Sequence, residues 1–219
     1  QKGSVRTKYG TRQEYIDAVN AVHDSGMRAM VDIVLNHKAG GDEKEKFRVV
    51  KVDPDNRDKV ISAPFEIEAY TKFTFPGRQK KYSEFEWDYM CFTGVDYAAN
   101  INETSIFRIL NSYGDSWEKM IGDEKGNYDY LMFNDIDFRN PAVVEELQRW
   151  GRWYWDQVHF DAVRLDAVKH ITPSFYLNWL HKLRESTWNE IFAVGEYWAP
   201  GQLNLLLEYI KETNNEMSL

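Results

Sequence analysis

A single cysteine, Cys91, in a chain of 219 residues rules out an intrachain disulfide and any multi-cysteine zinc centre, and it leaves the redox compartment open. Long apolar runs are also missing. No stretch approaches the roughly 20 residues that span a bilayer, and no signal-peptide pattern opens the sequence. The chain starts at Gln1, in what reads as the middle of a loop. It is therefore expected to be an excerpt whose lack of a leader says nothing about secretion. Positive charge is in deficit as well: a formal net charge of −8 argues against a general nucleic-acid or anionic-membrane binder, because those partners require a basic surface. Clustered acids can instead hold a cation.

Apolar material is ample. Hydrophobic residues make up 43% of the chain and aromatics 15%, enough for one large core or a core plus a subdomain. The 8 Trp and 13 Tyr exceed what a core usually calls for. Flat amphipathic rings suit stacking on sugars as well as packing.

Along the chain, Thr11-Arg12-Gln13-Glu14 has the capping-box pattern, and Ile16, Val19 and Val22 continue it at helical spacing up to Gly26. Residues 28–37 form a nearly continuous apolar and β-branched run, as in a parallel strand covered on both faces. Asp32 interrupts that run, so a buried cationic partner is expected for it. From 38 to 139 the pattern breaks into short alternating or aromatic pieces punctuated by Pro54, Pro64 and Pro76. That is too long for a structureless loop and predicts an inserted, irregular β-rich subdomain with strands near 49–52 and 69–75. Asn140-Pro141 caps a helix carrying Val144, Leu147, Trp150, Tyr154 and Val158. A strand follows at 160–166, then a helix opened by Thr172-Pro173 with Phe175, Trp179, Leu180 and Leu183 inward, a strand at 191–196, and a helix over 203–211.

Repeated β/α units of this kind imply a parallel sheet with right-handed crossovers, whose active residues gather at the C-terminal strand ends. Asn36 with His37, Asp166, and Glu196 occupy those ends on three consecutive strands. Alternation along the second strand places Arg164 and Asp166 on one face.

The strings DIVLNH (32–37), FDAVRLDAVKH (160–170) and VGEYW (194–198) resemble three of the four signature regions of the α-amylase family of retaining glycoside hydrolases. VRTKYGT (5–11), FPGR (75–78) and NYDYLMFNDIDFRNP (127–141) extend the resemblance toward its bacterial liquefying-type members. The resemblance implies an α/β fold, part of a (β/α)8 TIM barrel at about strands three to five: residues 1–37 and 140–219 would belong to the barrel, and 38–139 would be a calcium-binding subdomain inserted after the third strand. The remaining barrel segments of a parent chain are then expected partners.

The implied activity is endo-hydrolysis of α-1,4 bonds in starch or malto-oligosaccharides with retention. Asp166 would be the nucleophile, kept charged and oriented by Arg164, and Glu196 the general acid and later base. His37 would hydrogen-bond the sugar at the cleaved bond. Lys169 and His170 would line the leaving-group side, with Lys169 as a solvated surface residue the other option. Trp198 offers either a stacking platform near Glu196 or a core or rim role. By the same resemblance the main calcium ligands are Asn36, Asp129, Asp135 and the His170 carbonyl. Asp137 matches an additional cation ligand, but Thr93 and Glu118 stand where that pattern has aspartates. The family's third acid is expected beyond Leu219, so a catalytically incomplete carbohydrate-binding or structural fragment and a transglycosylase of the same family are the competing expectations.

Overall fold

The computed structural model describes residues 6–219; Val5, the first residue of VRTKYGT, lies outside the described residues. In chain order the elements are β1 (Arg6–Thr7), β2 (Gly10–Thr11), α1 (Arg12–Asp24), β3 (Met30–Ile33), β4 (His37–Lys38), β5 (Glu43–Asp53), β6 (Asn56–Val60), β7 (Phe65–Lys72), β8 (Phe92–Ala98), β9 (Glu103–Ile109), β10 (Asn134–Ile136), α2 (Pro141–Val158), β11 (Ala162–Leu165), α3 (Pro173–Thr187), β12 (Phe192–Gly195) and α4 (Leu203–Glu212).

The helices begin where local chemistry says they should. Thr11 and Glu14 form the reciprocal capping box of α1, which satisfies two backbone donors that the first turn would leave orphaned. At α2, the Asn140 side chain accepts from the Ala142 N–H, with Pro141 at the first helical position. Thr172 precedes Pro173 at α3 but makes no side-chain cap bond, so the fixed proline φ and the packing of the helix define that start. Phe175, Trp179, Leu180 and Leu183 are all buried along α3.

Apart from the two-stranded β1–β2 pair, two sheets organise the described residues. β12, β11 and β3 pair in parallel in that order, in the register Ala162↔Met30 and Ala162↔Phe192 through Leu165↔Ile33 and Leu165↔Gly195. Ser218 bridges Val194 in parallel, continuing the ladder beyond β12. The second sheet is antiparallel and seven-stranded, built from β4 to β10 with β5 at its centre. The predicted strand at 49–52 lies inside the longer β5, whereas the one placed at 69–75 starts earlier, as β7. One apolar cluster runs through both sheets, with Val49, Ile67 and Phe107 in the same core as Val31, Leu165 and Trp179.

The first barrel strand departs from expectation. It is not covered on both faces: Val31 and Ile33 are buried while Met30 and Asp32 are exposed. It also ends at Ile33, and His37 pairs instead with Asp135 in the antiparallel sheet. β3 is an edge strand among the described residues, and on the face opposite Val31 and Ile33 the side chains of Met30, Asp32 and Phe192 meet solvent. A continuous apolar run cannot distinguish one covered face from two.

Candidate active site

The parallel register carries the site. Because β11 lies between β3 and β12, the C-terminal ends of three strands stand side by side, and side chains two residues apart share a face. Arg164 is opposite both Asp32 and Val194. The ladder continues past the strand ends, with the Asp166 N–H donating to Ile33 O at 2.9 Å and the Glu196 N–H to Leu165 O at 2.8 Å. Asp166 and Glu196 are thus neighbours across adjacent strands.

One guanidinium ties three carboxylates together. Arg164 Nη1 lies 2.7 Å from Asp32 Oδ1 and 2.8 Å from Asp166 Oδ1, and Nη2 lies 2.7 Å from Glu196 Oε2. Hydrogen bonding to Asp32 and then to Asp166, with the charge of Glu196 in support, raises the Arg164 pKa above its ordinary value. The expected cationic partner of Asp32 is therefore present, although the Asp32 side chain is 64% exposed rather than buried. Asp166 is the least exposed of the three acids, at 23%.

The turn after Asp166 is tight. Ala167 sits in the left-handed region at φ 51, a conformation that costs an L-residue roughly 1–2 kcal/mol and that here sends the chain into the 3₁₀ turn Val168–His170. Gly195 permits this turn to pack against β12, since a Cβ there would stand 3.0 Å from both Val168 methyls.

His37 lies on the same side of the molecule. Burial lowers its pKa, opposed by the charges of Asp166 and Asp96, and its ring leans on Phe133 at 5.7 Å. A neutral imidazole that can donate or accept a hydrogen bond results.

On the other flank Lys169, His170, Glu196 and Trp198 line a cleft of about 240 Å³ together with Glu124 and Tyr128. Lys169 is buried, not a solvated surface residue; its ammonium pairs with Glu124 and donates to Trp198 O at 3.1 Å. Trp198 is 73% exposed, so its indole face is available. Glu124 and Tyr128 escaped the sequence analysis because neither sits at a strand end. The adjacency of Glu124 to Gly126-Asn127, a turn signal, was the only hint.

His170 is buried, and its Nδ1 lies 2.6 Å from Tyr128 O. Burial pulls the imidazole pKa down to about 4. The fold thus favours the neutral ring, and the stability this contributes is complete above the unfolded pKa of about 6.5 and is lost as pH falls from there toward 4. The His170 ring resonances are expected to titrate with a midpoint near 4 in NMR. A midpoint at the ordinary histidine value would contradict the buried placement.

Deeper in the antiparallel sheet lies a group of buried acids. Asp129 and Asp135 are almost fully inaccessible, and burial, with repulsion from neighbouring acids, raises both well above the usual carboxylate range. Glu118 is pushed up to about 7, by burial first and Asp137 second. Asn36 donates from Nδ2 to Asp135 Oδ1 at 3.2 Å, and its own Oδ1 is buried with no hydrogen-bond partner. Among the described residues no three His, Cys, Asp or Glu side chains converge as a metal cluster. The expected set is two carboxylates, an amide oxygen and a main-chain carbonyl, and such a donor set suits a hard, oxygen-seeking cation. An orphaned amide oxygen beside two mutually repelling buried acids fits that cation. Asp137 is placed differently: Arg139 holds it bidentately, with both contacts at 2.8 Å, so its charge already has an internal partner.

Comparison with known proteins follows the same lines. The family model described as alpha amylase, catalytic domain, matches residues 3–219. An α-amylase of Geobacillus stearothermophilus is 45% identical over 219 residues, covering 100% of this chain and 40% of its own. The cytoplasmic α-amylase of Escherichia coli K12 is 42% identical, covering 100% of this chain and 44% of its own. Among solved structures, an Anoxybacillus α-amylase superposes with a TM-score of 0.52 at 18% identity, covering 93% of this chain and 32% of its own, a likeness of fold alone. The chain spans about two-fifths of the length of the curated relatives it matches. With its parallel β/α section, its antiparallel sheet and its match to the family model over residues 3–219, the chain belongs to the α-amylase catalytic-domain family.

Proposed function

We propose that the protein performs endo-hydrolysis of α-1,4-glucosidic bonds in starch-like glucans by double displacement with retention. The observation that carries this reading is the single Arg164 guanidinium binding both Asp166 and Glu196 at the ends of adjacent parallel strands. Adjacent strands lie about 4.8 Å apart, and retaining glycosidases need two carboxyl groups about 5–5.5 Å apart.

Asp166 Oδ attacks the anomeric carbon while Glu196 protonates the departing glycosidic oxygen, giving a glycosyl ester. Glu196 then removes a proton from water as it attacks the same carbon, and Asp166 leaves. Arg164 fixes both carboxylates before substrate arrives, so little reorganisation accompanies the reaction. His37 reaches the sugar at the cleaved bond, Lys169 and His170 border the leaving-group side, and Trp198 presents a stacking face. Among the described residues, the barrel section is assigned to 6–36 and 140–219 and the inserted subdomain to 37–139, because His37 pairs in the antiparallel sheet.

Asn36, Asp129, Asp135 and the His170 carbonyl would hold a structural calcium ion. When bound, calcium would neutralise the buried acids and fasten the antiparallel sheet to the turn after Asp166. Asp137 would join a further cation only by giving up Arg139.

The anomeric form of the first products tests the mechanism. NMR of an early digest is expected to give α-anomers before mutarotation. Initial β-anomers would require an inverting mechanism and overturn the roles given to Asp166 and Glu196.

A further inference from the structure

A second cavity, of about 290 Å³, shares only His37 with the chemistry above; Lys38, Phe75, Arg78, Trp87, Glu146 and Trp150 are among its other walls. Two cations face it with donor capacity to spare. The Lys38 ammonium sits over three rings, 5.0 Å from Phe73, 5.0 Å from Phe75 and 4.9 Å from Trp87, and no hydrogen-bond acceptor among the described residues pairs with it. Arg78 stacks on Phe75 at 4.1 Å and donates from Nη2 to Phe85 O, but its Nε is buried with no hydrogen-bond partner. A buried N–H without an acceptor is costly to leave unpaired.

The acids nearby are already engaged. Glu146 binds Ser83 and Arg149, each contact at 2.8 Å, and Asp42 accepts from the Thr74 and Phe75 backbone N–H groups at 3.0 and 2.9 Å. Glu86 faces Arg78 and pairs with Lys80 at 3.9 Å. Arg149 adds positive charge beside Arg78, and burial keeps the Cys91 thiol, up at about 12, neutral. The charges bearing on the cavity itself, Lys38, Arg78 and Arg149 against Glu146 and Asp42, leave a surplus of one positive charge.

We propose that this cavity binds a small organic monoanion, its carboxylate taken by Lys38 and Arg78 and its flat apolar body lying against Trp87 and Trp150. The volume falls just under the usual range for drug-sized ligands, and the aromatic walls favour a ring over an extended chain.

Calorimetry of the intact protein with sodium benzoate, against neutral benzamide of the same shape, is the test. Saturable benzoate binding at least tenfold tighter than benzamide is expected at pH 7. Lys38→Met should cost at least tenfold in benzoate affinity, and Glu146→Gln should tighten it about threefold by removing the competing carboxylate. If Lys38→Met does not fold, Lys38→Arg and the benzoate-to-benzamide ratio decide. Equal affinity for the two probes, non-saturable uptake, or unchanged binding in folded Lys38→Met would overturn the proposal. Competition by chloride at constant ionic strength would replace the organic ligand with an inorganic anion.

Discussion

Asp166→Asn is expected to lower kcat on soluble starch by about 10⁴-fold or more, equivalent to about 5.4 kcal/mol of transition-state stabilisation. Asparagine keeps the shape of aspartate and an oxygen that can still accept from Arg164 Nη1, now 2.8 Å from Asp166 Oδ1. Its neutral amide cannot form the glycosyl ester. Arg164 also keeps Asp32 and Glu196, so the cleft should stay assembled, with KM and the unfolding midpoint changing little. Glu196→Gln should be nearly as inactive on starch but should recover part of the rate of the first, ester-forming step on substrates whose leaving group needs no proton, while the second step still lacks its base and the glycosyl ester accumulates. Retention of more than a tenth of wild-type turnover by folded Asp166→Asn would remove this residue from the chemistry.

The parts of this site carried by local chemistry were legible in the sequence. Alternation alone set Arg164 and Asp166 on one face, and the capping patterns at Thr11 and Asn140 fixed two helix starts within a residue. Strand order followed from the repeated β/α units, and with it the meeting of Asp166 and Glu196. What escaped depends on distant segments. The burial of Lys169 comes from Glu124 and Tyr128 in the inserted section, more than 40 positions away in sequence. The shift of His37 from a barrel strand to the antiparallel sheet depends on its pairing with Asp135, and no local pattern encodes that. None of β6, β8 and β9 was anticipated, for a related reason: charged and polar residues interrupt their alternation, and pairing to the long β5 and to one another stabilises them more than propensity does.

The buried acids give the second large effect, and its sign depends on the metal. In metal-free protein Asp129 and Asp135 are raised well above the ordinary carboxylate range, so the fold favours their protonated forms and loses stability as pH rises from about 4 through the raised folded-state values. Calcium requires the ionised forms and releases those protons on binding. Free calcium at a hundredfold excess over Kd should add about 2.7 kcal/mol, which for a chain of this size is roughly 5–11 °C in Tm, and the gain should be larger at pH 8 than at pH 5. Asp135→Asn separates the two states. Without metal it removes one of two repelling buried charges, its amide oxygen still accepting from Asn36 Nδ2 and its NH2, in place of Oδ2, able to donate to the Thr93 hydroxyl, so in chelator it should be at least as stable as wild type at pH 8. With calcium it lacks a charged ligand and should be the less stable of the two. Scanning calorimetry in both conditions would display the crossover, whereas an equal calcium response in the two proteins would mean that the ion, if bound, lies away from Asp135.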